Sequence, residues 1–335
     1  MDPKYVIAGR LSREYILPAI GKPVLDSPGG NLLYAGGGLR LWDDGIGLLG
    51  RIGEDYPQHW LHDIEKLGFD TRGVRILPEA IDLRVFISYT EAFEASRDNP
   101  VSQFSRRKVT FPKSLLGYQA PPEFQEDTRE PGIHAPGVSD IPKDYFNAST
   151  LHICSLDITT QGQILAIFKS GKANTITLDP WSGYMLPKFH KDIRSLLSGL
   201  TAFFPSKEEL QSLFWGQTND PWEMVEALGQ YGPELIVVKS GGRGQLLYDV
   251  KGKKRWEIPA YDSRKADPTG VGDAFCGGFL AGYRKTYDPV EAVLFGNVSA
   301  SLKVEGSGAF YPLEVLPGLA EARLNTLRYG IREIK

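Results

Sequence analysis

Asp267, Thr269, Gly270, Val271, Gly272 and Asp273 crowd into one short stretch, and small residues follow at Ala274, Cys276, Gly277 and Gly278. A glycine turn entering a helix leaves the first backbone N–H groups without intrahelical partners and aims the positive helix end at one point. Such a point holds an anion, a phosphoryl group above all. A carboxylate beside it, Asp273, can accept the proton of a substrate hydroxyl. The amides of Gly270, Val271 and Gly272 would then stabilise charge on the transferred group. The competing reading is structural, because Asp is a preferred helix cap and glycine-rich turns precede many helices.

Positioning such a turn requires a framework of strands and helices. Short apolar, β-rich runs at 5–8, 46–51, 151–155, 175–178, 201–204 and 235–239 alternate with helix-period segments. The latter lie near 31–42, 56–67, 161–170, 188–198, 207–215, 221–230, 272–285 and 289–304. That alternation predicts an α/β fold, a doubly wound, mostly parallel sheet with helices on both faces, whose ligands sit beyond the C-terminal strand ends. Two stretches break the rhythm. Ile81, Leu83, Val85, Ile87 and Tyr89 occupy every second position, which predicts a strand with one face covered and one wet, at home in a small second sheet. The stretch 91–145 holds seven prolines and nearly balanced charges, which predicts a lid, a binding loop or a disordered insertion.

Composition excludes several functions. The 335 residues carry 38 Lys and Arg against 41 Asp and Glu, a net charge of −3, which gives no electrostatic footprint for nucleic acid or an anionic membrane. No run approaches the about 18 apolar residues of a membrane span, and no signal peptide is expected. Two cysteines, Cys154 and Cys276, form neither a disulfide framework nor a CxxC metal site, so a reducing, cytoplasmic setting is the default expectation. His59 and His62 lack a third ligand for a zinc set and read as a solvated helix face. The GxGxxG run from Gly45 to Gly50 lies within a strand, which argues against a dinucleotide site.

Other residues leave alternatives open. His152 reads as a strand-end residue satisfied by backbone, and Trp181 as either a stacking platform or core or rim packing. Ser105-Arg106-Arg107-Lys108 reads as a solvated loop, with a lid contact to an anionic substrate as the alternative. Glycine numbers 37, and 12 of these fall at 29–30, 36–38, 241, 242, 244, 270, 272, 277 and 278, which reads as backbone brought close to a ligand or to the helices behind it.

The segment from Asp267 to Asp273 resembles the C-terminal signature of the ribokinase/PfkB family of carbohydrate and nucleoside kinases. Three further landmarks follow the same order: Gly29-Gly30-Asn31-Leu32-Leu33-Tyr34-Ala35 with Gly50-Arg51-Ile52-Gly53-Glu54-Asp55, the strand and turn from Val237 to Gly244, and the stretch from Asn297 to Gly308. The resemblance implies a ribokinase-like kinase domain over 1–335, with lid segments near 10–28 and 75–115 and the Pro-rich insertion at 91–145. It implies transfer of the γ-phosphate of ATP, with Mg²⁺, to a hydroxyl of a small sugar or nucleoside.

By the same resemblance Asp273 would be the general base and Gly270, Val271 and Gly272 the anion hole. Glu14, Gly29, Gly30, Tyr34 and Asp267 would lie on the acceptor side, Asp267 also beside the K⁺-type cation loop of many members. Ser206, Lys239, Gly241, Gly244 and Asn297 would surround the nucleotide, and Glu209 would orient the Mg²⁺ shell through water. An open lid sheet would present edges able to pair with a second copy. Departures are Ser206 for the Asn of Asn-x-x-Glu, Glu14 for an Asp and Tyr34 for an Asn; the last two argue against a plain ribokinase. Ser206 and the 91–145 insertion also motivate an alternative, an inactive or weak member kept as a nucleotide or sugar sensor or scaffold.

Overall fold

The apolar runs become strands buried on both faces in the structure, a computed structural model describing residues 2–120 and 129–334. In chain order the strands are β1 (Tyr5–Ala8), β2 (Ser12–Leu17), β3 (Val24–Gly29), β4 (Ile46–Gly53), β5 (Phe69–Leu77), β6 (Arg84–Tyr89) and β7 (Ala95–Ser96). They continue as β8 (Thr150–Ile153), β9 (Thr175–Leu178), β10 (Ala202–Phe203), β11 (Leu235–Lys239), β12 (Gln245–Asp249), β13 (Lys254–Ile258) and β14 (Arg332–Ile334). The helices are α1 (Asn31–Arg40), α2 (Gln58–Lys66), α3 (Pro100–Arg106), α4 (Ile158–Lys169) and α5 (His190–Leu197). After them come α6 (Lys207–Leu213), α7 (Pro221–Gly229), α8 (Val271–Thr286), α9 (Pro289–Lys303) and α10 (Leu319–Leu327).

The large sheet runs β14-β13-β12-β11-β10-β9-β8-β1-β4-β5. All pairings from β5 to β11 are parallel, and β11 to β14 pair antiparallel. Alternate residues of β1 feed opposite cores: Val6 and Ala8 join Phe168, Phe203 and Ile236, whereas Tyr5 and Ile7 join Leu33, Leu48 and Leu280. Covering both faces with helices is what a parallel sheet of continuous apolar strands requires. The antiparallel extension escaped the sequence reading because β12 and β13 mix Gln, Tyr, Lys, Arg and Glu among their apolar residues.

A second, four-stranded sheet runs β3-β2-β6-β7. It draws on the expected segments, except that residues 75–77 belong to β5 at the edge of the large sheet. The wet face expected for 81–89 is also corrected. Phe86 is buried because α3 lays Phe104 over it, with ring centroids 5.7 Å apart, while Ile87 and Tyr89 pack on the other face. The Pro-rich stretch is therefore partly a cover for this sheet. Its Arg107 donates to Pro18 O at 3.0 Å and to Tyr89 O, so that cation is spent on bracing the sheet. Pro121 and Pro122 lie outside the described residues.

Candidate active site

Gly270 is the cap of α8 and adopts φ +71, a left-handed conformation that side chains disfavour. A Cβ there would fall 2.0 Å from the Tyr34 ring, so only glycine fits. The first intrahelical bond runs from Ala274 N–H to Gly270 O at 2.9 Å. Gly272 and Asp273 precede that ladder, and their N–H groups, with that of Gly270, have no backbone acceptor among the described residues. Val271 differs from its neighbours, since its N–H reaches Pro268 O at 3.3 Å. Asp267 holds the turn from behind by accepting the Thr269 N–H at 2.9 Å. Because Gly270 is the cap and Asp273 stands in the first turn without a capping bond, the cap reading of Asp273 fails.

Three strand ends converge on this turn. Lys239, the last residue of β11, donates to Asp179 Oδ1 at 2.6 Å, just past β9. Its Nζ lies 3.6 Å from where a Cβ on Gly272 would be, which puts a largely buried ammonium at the anion hole. Burial works against that charge, but Asp179, Cys276 and Glu209 outweigh it and push Lys239 up. Burial lifts the Asp273 carboxyl to about 6, with Lys239 and Arg10 opposing and Glu14 adding to the rise. Arg10 follows β1. Sequence reasoning missed Arg10 and Asp179, although residues just beyond C-terminal strand ends are where such folds place ligands.

On the acceptor side several expectations are corrected. Glu14 is 3% exposed and accepts from Tyr34 OH at 2.6 Å, Gly30 N–H at 2.9 Å and Ser12 OH at 3.1 Å, so both its oxygens are spent within the protein. Burial raises its pKa and those three bonds oppose the rise. Tyr34 is buried with its hydroxyl on Glu14 and its ring under Gly270, so it supports the turn from beneath. Gly29 is required because a Cβ would lie 1.9 Å from the Glu14 carboxyl carbon. Gly30, at φ +99, caps α1. Asp267 is fully buried.

On the nucleotide side Gly241 has open space around it, whereas a Cβ on Gly244 would meet Ile258 O at 2.0 Å, so Gly244 serves sheet packing. Asn297 spends its amide on Tyr261 N–H, Gln245 and Pro259 O at 2.7 to 3.0 Å, and so fixes the loop after β13 from within. Ser206 and Glu209 form a reciprocal cap on α6, with Ser206 N–H to Glu209 Oε2 at 2.7 Å and Glu209 N–H to Ser206 Oγ at 3.1 Å. Burial and the nearby Asp179 raise the Glu209 carboxyl, while Lys239 opposes them. His152 bonds the Thr177 hydroxyl at 2.9 Å inside β8, not backbone at a strand end. Trp181 packs against the core, and His59 and His62 lie on the outer face of α2, where Ile64 is the one buried residue.

The expected lid meets this site directly. Thr269 Oγ1 donates to Tyr89 OH of β6 at 3.1 Å, and Ile20 N–H reaches Ala266 O at 3.4 Å. No helix of the described residues is long and apolar enough to cross a membrane.

Comparison with known proteins bears on the fold and the family. The chain is 28% identical over 291 residues to the cytidine kinase of Thermococcus kodakarensis, spanning 87% of this chain and 92% of that enzyme. Its fold matches the Burkholderia thailandensis nucleoside kinase in complex with inosine at a TM-score of 0.68, with 18% identity, covering 96% of this chain and 98% of the other. It also matches an E. coli protein described as a ribokinase II, in complex with ATP and Mg²⁺, at a TM-score of 0.67 and 17% identity over 97% and 99% of the two chains. The model of the pfkB family carbohydrate kinases matches residues 142–316, more than half of the chain, and the chain belongs to that family.

Proposed function

We propose that the protein transfers the γ-phosphoryl group of ATP to a hydroxyl of a nucleoside, with Asp273 as general base. The observation that carries this reading is the Asp273 carboxyl itself, free of capping duty, beside open amides and the Lys239 ammonium. The acceptor hydroxyl gives its proton to Asp273 as its oxygen attacks phosphorus, and the bond from phosphorus to the bridging oxygen breaks to release ADP. The N–H groups of Gly270 and Gly272, with Val271 if its long turn bond opens, would stabilise charge on the transferring group. Lys239, held in place by Asp179, adds a fixed positive charge.

Glu209 fits a Mg²⁺ partner, being a half-buried carboxylate with Asp179 nearby and its charge only partly offset. It would hold the ion through water, and Mg²⁺ when bound neutralises charge on the phosphates. The second sheet would act as the lid that excludes water, with Tyr89 as its contact on the phosphoryl turn.

A nucleoside acceptor is supported by the cytidine kinase match. Its 291 residues are too many for 142–335 alone and must reach into the half of the chain that carries the second sheet. The test is ADP release on a panel of cytidine, adenosine, inosine, ribose and fructose, paired with calorimetric ATP binding. Nucleosides should turn over fastest. Asp273→Asn should keep ATP affinity while lowering kcat by about a hundredfold or more. Undiminished turnover in that variant overturns the assignment, and ATP binding without ADP release on any acceptor returns the sensor reading.

A further inference from the structure

Lys303, the last residue of α9, is fully buried, an unusual fate for a lysine. Its Nζ donates to Gly306 O at 2.8 Å and lies 3.4 Å from Asp267 O, and it sits 5.3 Å from the centroid of the Tyr34 ring. The next residue, Val304, accepts through its carbonyl from Ala266 N–H at 2.7 Å and Asp267 N–H at 3.0 Å, which stitches the end of α9 to the start of the phosphoryl turn. The ammonium is therefore directly behind the turn that ends in Gly270. Asp267 Oδ2 is buried there without a hydrogen-bond partner among the described residues. Burial lowers the Lys303 pKa, and Asp267 and Glu14 pull it back up.

Carbonyl oxygens, two buried carboxylates and an aromatic face make a hole suited to a dehydrated monovalent cation. Here the chain fills it with its own side chain. We propose that Lys303 is a tethered monovalent cation, a positioning residue that offsets Asp267 and Glu14 and holds the phosphoryl turn in its transfer geometry, so that turnover needs no K⁺, Na⁺ or NH₄⁺ from solution. The helix C-terminus on which Lys303 stands favours a cation as well. This inference rests on the assignment of the 267–273 turn as the phosphoryl site.

The experiment measures wild-type kcat and KM at fixed Mg²⁺ and ionic strength in KCl, NaCl, NH₄Cl and tetramethylammonium chloride, and repeats the series with Lys303→Met. Wild-type turnover should be the same in all four salts. Lys303→Met should lose about tenfold or more in kcat, and K⁺ or NH₄⁺ should restore part of it saturably where tetramethylammonium does not. Wild-type turnover that rises severalfold in K⁺ over tetramethylammonium overturns the proposal even if the variant does not fold. So does a folded Lys303→Met that turns over normally or is rescued by no cation. The Asp273→Asn kinetics separate the two failures: a silent Asp273→Asn with a K⁺-activated wild type refutes the tethered cation alone, and a fully active Asp273→Asn refutes the site itself.

Discussion

Asp273 must be ionised to accept a proton, yet burial lifts its carboxyl to about 6. Below that value the protonated form dominates, so kcat/KM should fall about tenfold per pH unit as pH drops under about 6. A pH–rate profile that stays flat down to pH 5 would contradict the base assignment. Asp179 is also buried and raised to about 6, so the acid limb belongs to both until a variant separates them. Asp179→Asn leaves the largely buried Lys239 ammonium without its 2.6 Å partner and should destabilise the fold by about 3 to 5 kcal/mol. Thermal unfolding reads that loss, and a shift under about 1 kcal/mol would show that the pair is solvated. The place of Asp273 in the first turn of α8 was legible in the sequence because a glycine turn running into a small-residue helix is a local signal. Glu14 and Asn297 misled because spacing shows which residues approach a site, not which neighbours have already taken their lone pairs and N–H groups.

At the scale of elements, the glycine surplus divides by geometry. Gly270 and Gly241 shape backbone at the cleft, but the helical glycines let helices meet. A Cβ on Gly277 of α8 would stand 1.9 Å from Ala35 O of α1, one on Gly38 of α1 would stand 2.1 Å from Ala274 O, and one on Gly278 would stand 2.4 Å from Ser299 Oγ of α9. The close packing of α1 and α9 on α8 fixes where the N-terminus of α8 points, and hence where the amides of the turn converge. Gly277→Ala should cost about 1 to 3 kcal/mol of stability, seen as a lower urea midpoint with an unchanged slope. Gly38→Ala packs against the same pair of helices, so the double variant should be non-additive. Strict additivity would mean that each site relaxes independently.

Across the whole molecule, acid stability follows from a buried histidine. Burial, with Lys239 nearby, depresses His152 from its ordinary value of about 6.5 to about 3. Above pH 6.5 it is neutral in both states; below that the unfolded chain takes up a proton that the folded chain refuses, so stability is lost as pH falls from about 6.5 toward 3. Asp179 and Asp273 work in the opposite sense, because their raised values let the folded state bind protons first. His152→Gln should therefore flatten the acid side by about 1.4 kcal/mol per pH unit relative to the wild type in urea titrations at pH 4 to 7. Parallel curves would place the titration elsewhere. The sequence by itself determined the alternation of strands and helices, the parallel core and the turn that opens α8, because periodicity and glycine spacing are local properties of the chain. Tertiary structure alone decided that Glu14, Tyr34 and Asp267 stand behind that turn, that Arg10, Asp179 and Lys239 meet at it, and that α3 buries Phe86. The reason is that hydrogen-bond partners, burial and the electrostatic field at a carboxylate come from segments as distant in the chain as β1 and α9, and no spacing rule brings those together.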